Sequence, residues 1–119
     1  MFKFRGKVKK GQGRGRGLGF PTANINLHKK IPEGVYLSST KVNDEQIPSL
    51  TFIGRAKTFN ENKYHAESYL LSFSGELYGE YINIRLFKKI RGNLKFQSVK
   101  SLISQMKKDE KVARKYFNK

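Results

Sequence analysis

The chain contains no cysteine. Neither a disulfide framework nor a thiolate metal site can be built from it, a composition that suits a reducing cytoplasm. Histidine occurs only at positions 28 and 65, and two imidazoles without a third ligand in view do not make a zinc site. No apolar run approaches the roughly 18 residues of a membrane span. The opening MFKFRGKVKK lacks the apolar stretch of a secretory signal. Acidic residues are scarce: 9 Asp and Glu against 25 Lys and Arg leave a net charge of +16. That balance attracts polyanions such as nucleic acid, nucleotides or anionic membranes. The basic residues are spread over the whole chain, so the charge equally fits a Lys-rich surface. By itself it does not choose between a polyanion binder and an enzyme for a phosphorylated substrate.

What is present points to one small domain, residues 1–119. Hydrophobic residues make up 37%, with nine Phe and six Tyr, enough for a modest core and against wholesale disorder. Residues 2–9, FKFRGKVK, alternate loosely as a first strand. TANINL reads as a short extended piece, and HKKIPEG as a connection broken by Pro32 and Gly34. GVYLSSTKV and IPSLTFIG read as strands on either side of a turn at NDEQ. KTFNENK reads as a loop, and YHAESYLLSF and EYINIRLFKKI as two further strands. In the second, Ile82, Ile84 and Leu86 alternate with Asn83, Arg85 and Phe87. The period then changes. From Ser98, a plausible N-cap, the residues Val99, Leu102, Ile103, Met106, Ala113, Tyr116 and Phe117 fall at helical spacing and predict a core-facing stripe. Five or six strands joined by short turns and followed by one helix predict a small antiparallel barrel closed by that helix.

The segment GRGRGLGFPTANINL carries the chemistry. Gly13, Gly15, Gly17 and Gly19 alternate with Arg14, Arg16 and Leu18. Such a turn exposes backbone N–H groups beside positive charge and suits phosphate. It is neither a Walker loop nor a dinucleotide fingerprint, because the spacing is wrong and no helix follows. Read alone, RGRG also fits an RNA-binding arm. Thr22 and Asn24 lie two apart, so in an extended segment both point to one face. Two neutral oxygen ligands there suit Mg²⁺ bound mainly through nucleotide phosphates; the same pair also suits a turn that hydrogen-bonds its own backbone. Glu67 is a carboxylate in the otherwise apolar AESYLL strand, with His65 two residues before it. Tyr78 and Phe73 read as barrel packing.

The ordered pattern resembles the riboflavin kinase (flavokinase) family. Its G-x-V-x-x-G is matched at Gly6, Val8 and Gly11, and its Gly/Arg loop and P-T-A-N hallmark at Arg14 to Asn24. PEGVY, FIGRAKTF, AESYLLSFSGELYGEYINI and KFQSVKSLISQMKKD match further family blocks in order across residues 2–117. The resemblance implies a six-stranded antiparallel Greek-key barrel with a C-terminal α-helix. It implies transfer of the ATP γ-phosphoryl to the 5′-hydroxyl of riboflavin, giving FMN. By the same resemblance Glu67 is the catalytic base, and Thr22 and Asn24 hold Mg²⁺ and phosphate. Gly11, Arg14, Gly15, Arg16, Gly17, Gly19 and Thr22 bind the nucleotide, and Arg91 and Ser98 belong to the region that closes over the flavin.

The implied partners are riboflavin and ATP, with non-specific polyanion binding from the +16 charge, no membrane, and a monomer. The chain departs from the family pattern at Phe52, Lys57 and Ser72, and at Gly92, Asn93 and Leu94 in the stretch RGNLKF. The last change falls in the flavin-closing region and points to altered flavin affinity. In most bacteria this module is joined to a nucleotidyl-transferring domain. The 119 residues hold neither that domain nor an H-x-G-H motif, so the chain reads as a monofunctional kinase or an excised domain that makes FMN but not FAD. The other reading is a non-catalytic flavin- or RNA-binding module on the same barrel.

Overall fold

Period-2 alternation yields strands only where each face finds a partner, and the computed structural model supplies those partners. It describes residues 2–9, 22–55, 64–73 and 77–117; Gly11, the loop from Arg14 to Gly19 and the stretch KTFNENK lie outside them. The strands are β1 (Phe2–Lys7), β2 (Thr22–Asn26), β3 (Gly34–Val42), β4 (Glu45–Gly54), β5 (His65–Leu70) and β6 (Tyr81–Arg91), followed by α1 (Val99–Phe117). All pair antiparallel in one sheet ordered β1-β6-β3-β4-β5-β2. β3, β4 and β5 form a meander and β6 returns beside β3, which is the Greek-key order expected.

The sheet curls into a half-barrel whose edge strands meet. Lys9 and Asn24 form an antiparallel bridge, with the Lys9 N–H donating to the Asn24 carbonyl at 2.7 Å. Lys9 Nζ donates to Asn26 Oδ1 at 3.1 Å. At this seam Gly6 leaves room for Ile25: a Cβ on Gly6 would stand 3.0 Å from the Ile25 Cβ.

Four local readings are refined. The β3–β4 turn is narrower than NDEQ: Asn43 and Asp44 take φ of 50° and 67°, a two-residue turn of the hairpin-favouring hand, and Glu45 and Gln46 join β4. β5 ends at Leu70, because the Leu71 N–H turns to the Pro48 carbonyl at 3.0 Å. The helical stripe is only partly covered. Met106 and Ala113 are buried, whereas Val99 and Tyr116 are about half exposed, and Asp109 is buried among the apolar positions. Tyr78, read as packing, is 43% exposed. The expected N-cap is present: the Ser101 N–H donates to Ser98 Oγ at 3.1 Å. Among the described residues no helix is long and apolar enough to cross a membrane.

The inner face holds the main core, including Ile25, Ile53, Leu70, Ile82, Ile84 and Leu86. A second cluster of Val35, Leu37, Leu50, Leu71 and Ala113 joins the outer face to α1. Inside, five fully buried hydroxyls form a chain across β4, β3 and β5. Thr51 meets Ser38 at 2.7 Å, Ser38 meets Ser49 at 2.7 Å, Ser49 meets Thr40 at 2.9 Å and Thr40 meets Ser68 at 2.6 Å. A hydroxyl is both donor and acceptor, so each can satisfy the next. Thr40→Val keeps the shape and cuts Ser68 off from the other hydroxyls. It is expected to lower unfolding stability by about 1–3 kcal/mol, read from the urea midpoint at constant slope.

Candidate active site

The register of β2, β5 and β4 places Asn24 opposite Glu67 and Glu67 opposite Phe52. Thr22 stands opposite Tyr69, and Asn26 opposite His65. Directly paired residues point to one side, with Cβ atoms about 4.5–5.5 Å apart and diagonal neighbours about 7–8 Å. Thr22, Asn24 and Glu67 therefore share a face, opposite to the one that buries Ala23, Ile25 and Ala66. It is the face on which Leu50 and Tyr69 meet the helix.

Glu67 is only 2% exposed. It stands on the outer face of β5, where neighbouring side chains cover it. The Tyr69 hydroxyl donates to Glu67 Oε1 at a long 3.4 Å. The His65 ring lies 5.9 Å from that of Phe52, tilted by 59°, which places His65 in the same apolar surround. Removing a carboxylate from water is costly, so Glu67 is not the surface acid its charge would suggest. Thr22 and Asn24 are half-buried. A hydroxyl, an amide oxygen and a carboxylate on adjacent strands are the hard oxygen donors that fit Mg²⁺. Among the described residues there is no cluster of three His, Asp or Glu for a metal held by protein alone.

The same row of the sheet runs on to Arg91. Phe52 pairs with Val35, and Val35 with Arg91. At ordinary strand spacing Arg91 lies three strands, or about 14 Å, from Glu67. The Arg91 guanidinium grips Asp109 of α1: Nε donates to both carboxylate oxygens at 3.1 and 2.9 Å, and Nη2 reaches Oδ2 at 2.9 Å. Gln105 Nε2 also donates to Asp109, at 3.0 Å. The Phe96 ring lies 5.6 Å from the guanidinium. Asp109 was missed in the sequence, although a charge inside the Met106–Ala113 stripe was a signal. Removing one partner of a mostly buried pair strands the other charge. Asp109→Asn is expected to lower stability by about 3 kcal/mol or more, whereas Glu110→Gln, in the more exposed pair with Arg114, costs about 0.5 kcal/mol. Chemical denaturation of both variants checks the contrast.

The departing stretch RGNLKF has a structural role. Asn93 Nδ2 donates to Glu33 Oε1 at 2.8 Å and to the Arg55 carbonyl at 2.9 Å, and Arg55 pairs with Glu33 at 3.6 Å. Gly54, at φ 137°, permits this: a Cβ there would lie 2.6 Å from Glu33 Oε1. Beside this clamp the Tyr36 hydroxyl donates to the Pro32 carbonyl at 2.6 Å and the Tyr64 hydroxyl to the Ile31 carbonyl. Burial, then the neighbouring Tyr64, raises the Tyr36 pKa above 10.0. Burial, then Glu33, raises that of Tyr64, against a smaller lowering by Arg55. The folded state thus holds these protons more tightly than the unfolded chain. Their contribution is complete below about pH 10 and is lost as pH rises through the folded values. Thermal melts are expected to show an alkaline decline that is shallower in Tyr36→Phe/Tyr64→Phe.

The curled Greek-key sheet with one helix thus sets a strand-borne carboxylate opposite an amide, with a hydroxyl on the same face. A family model described as "Flavokinase: Riboflavin kinase" matches residues 1–117, and the chain belongs to that family. Among its relatives is the bifunctional riboflavin kinase/FMN adenylyltransferase of Listeria monocytogenes, 40% identical over 97% of this chain and 38% of the relative. The chain spans well under half the length of the curated relatives it matches. The crystal structure of riboflavin kinase from Trypanosoma brucei superposes with a TM-score of 0.64 at 28% identity, covering 98% of this chain and 80% of that one. A structure described as a macrolide-efflux protein from Streptococcus pneumoniae superposes at 0.79 with 33% identity, covering 94% of this chain and 38% of that one.

Proposed function

We propose that this chain is a single catalytic domain that transfers the γ-phosphoryl of ATP to the 5′-hydroxyl of riboflavin, giving FMN and ADP. The observation that carries the reading is the register that sets Glu67 opposite Asn24, with Thr22 on the same face. Membership in the riboflavin kinase family supports the choice of substrates.

Phosphoryl transfer needs in-line positioning and charge neutralisation more than covalent participation by the protein. Glu67 accepts the proton of the ribityl hydroxyl as that oxygen bonds to the γ-phosphorus and the bond to the ADP oxygen breaks. The Phe52 and Tyr69 side chains beside it keep water from the carboxylate. Thr22 and Asn24 offer their oxygens to Mg²⁺, which when bound neutralises phosphate charge. Gly11, Arg14, Gly15, Arg16, Gly17 and Gly19 are assigned to nucleotide binding by the family resemblance, and the two arginines would bring positive charge to the phosphates. On the flavin side, Arg91 acts through its grip on Asp109, which ties the end of β6 to α1, and Ser98 sets where the helix starts.

The test is the pure chain with riboflavin, ATP and Mg²⁺, followed by chromatographic separation of the flavins. FMN is expected, and Glu67→Gln is expected to slow its formation about 100-fold or more while riboflavin binding, read by fluorescence quenching, persists. Equal FMN from both proteins would remove Glu67 from its role. No FMN from the folded parent would overturn the kinase reading in favour of a flavin-binding module.

A further inference from the structure

The half-barrel has a second surface of distinct chemistry, on β1, β6 and the turn end of the β3–β4 hairpin. The register of β1, β6 and the β3–β4 hairpin builds an exposed grid. Lys3 stands beside Arg85, and Arg85 beside Ser39. In the next row Arg5 stands beside Asn83, Asn83 beside Lys41, and Lys41 beside Gln46. Lys7 stands beside Tyr81. These rows carry five cations, Lys3, Arg5, Lys7, Lys41 and Arg85, and, among the described residues, no carboxylate. The nearby acids are peripheral: Asp44 at the hairpin tip, 3.8 Å from Lys41, Glu45 beside Val42 at the start of β4, and Glu80 just before β6.

Like charges placed side by side repel, so folding stability alone does not favour such a grid. It is also not flat: a hollow of about 200 Å³ is lined by Lys3, Ser39, Lys41, Gln46, Asn83 and Arg85, among others. Nor is it purely charged. Tyr81 is 55% exposed, and the Arg5 guanidinium lies over its ring at 4.6 Å.

We propose that this face binds single-stranded nucleic acid. Alternate residues on β1 lie about 6.8 Å apart, so Lys3, Arg5 and Lys7 form a straight track for a phosphate backbone. Tyr81 and the guanidinium on it offer planar surfaces to unstacked bases, and Asn83, Ser39 and Gln46 offer donors and acceptors between them. A cationic track interleaved with planar side chains on an open sheet is the chemistry that holds single strands. A duplex is read by an element that enters a groove, and this face is broad. A membrane surface is held by apolar side chains that insert between lipids, and here the exposed ring of Tyr81 is stacked under a cation. β1 reaches β2 at the Lys9–Asn24 bridge, but Lys3, Arg5, Arg85 and Tyr81 stand outside that pair, so variants at these four positions test the proposal apart from the kinase reading.

Fluorescence anisotropy with a labelled single-stranded RNA of about 12 nucleotides, over roughly 50 to 200 mM salt, tests it. The triple variant Lys3→Gln/Arg5→Gln/Arg85→Gln removes three charges from the face. Lys107→Gln/Lys111→Gln/Lys115→Gln removes three from exposed positions of α1 and keeps the same total charge. Far-UV circular dichroism and melts establish that both fold. The face variant is expected to bind at least about tenfold more weakly, with the log–log salt slope reduced by about 2, since each lost phosphate contact accounts for about 0.7. The helix variant is expected to change affinity less than about twofold. Tyr81→Ala is expected to weaken binding about fivefold or more with the slope unchanged. Equal losses in the two triple variants would overturn the proposal in favour of diffuse attraction to the +16 chain. So would no effect of Tyr81→Ala, or a face variant that loses binding to phosphatidylserine vesicles but not to RNA.

Discussion

The site depends on β5 being covered on both of its faces, for that is what takes Glu67 out of water while leaving Asn24 and Thr22 beside it. On the inner side Ala66, Ser68 and Leu70 are fully buried, held by the core and by the Thr40 hydroxyl. On the outer side Glu67 lies between Asn24 of β2 and Phe52 of β4. A one-residue slip of β5 would exchange the two faces. Glu67 would enter the apolar core and Ser68 would leave its hydroxyl chain. The register is thus fixed by a polar contact on one face and an apolar surround on the other, and the chemistry inherits that precision.

A similar economy joins the helix to the sheet. Apolar packing of Ala113 against Val35, Leu37 and Leu50 is non-directional. The Arg91–Asp109 pair is directional, and it lies on the row that reaches Glu67 three strands away. The helix is held both by burial and by a bidentate ion pair whose geometry tolerates little rotation. The following segment is then tied back to β4 through Asn93 and Glu33. The residues that depart from the family pattern here are not idle, because Asn93 supplies that tie.

The outer surface of the sheet divides by chemistry. Where α1 covers it, the residues are apolar. Toward β2 and β5 it carries hydroxyl, amide and carboxylate oxygens. Toward β1 and β6 it carries cations and a tyrosine. The excess of positive charge, which as a bare total fitted several partners, acquires direction only when three strands bring Lys3, Arg5, Lys41 and Arg85 together.

Much of this was legible in the chain. The alternation of Ile82, Ile84 and Leu86, the turn at Asn43–Asp44, the change to helical period after Ser98 and the ordered family blocks depend on neighbours close in sequence, and local backbone geometry obeys local rules. Thr22 and Asn24 shared a face for the same reason. Which residues lie opposite them did not follow, because strand order and register are settled by pairings between segments apart in the sequence. That pairing alone decided that Glu67 is buried opposite Asn24, that Asp109 and Arg91 form one ion pair, and that five scattered serines and threonines join in one chain. It also decided that Val99, Tyr78 and Tyr116, apolar or aromatic enough for the core, stay at the surface: burial needs a covering partner, and whether one arrives is a property of the assembled fold.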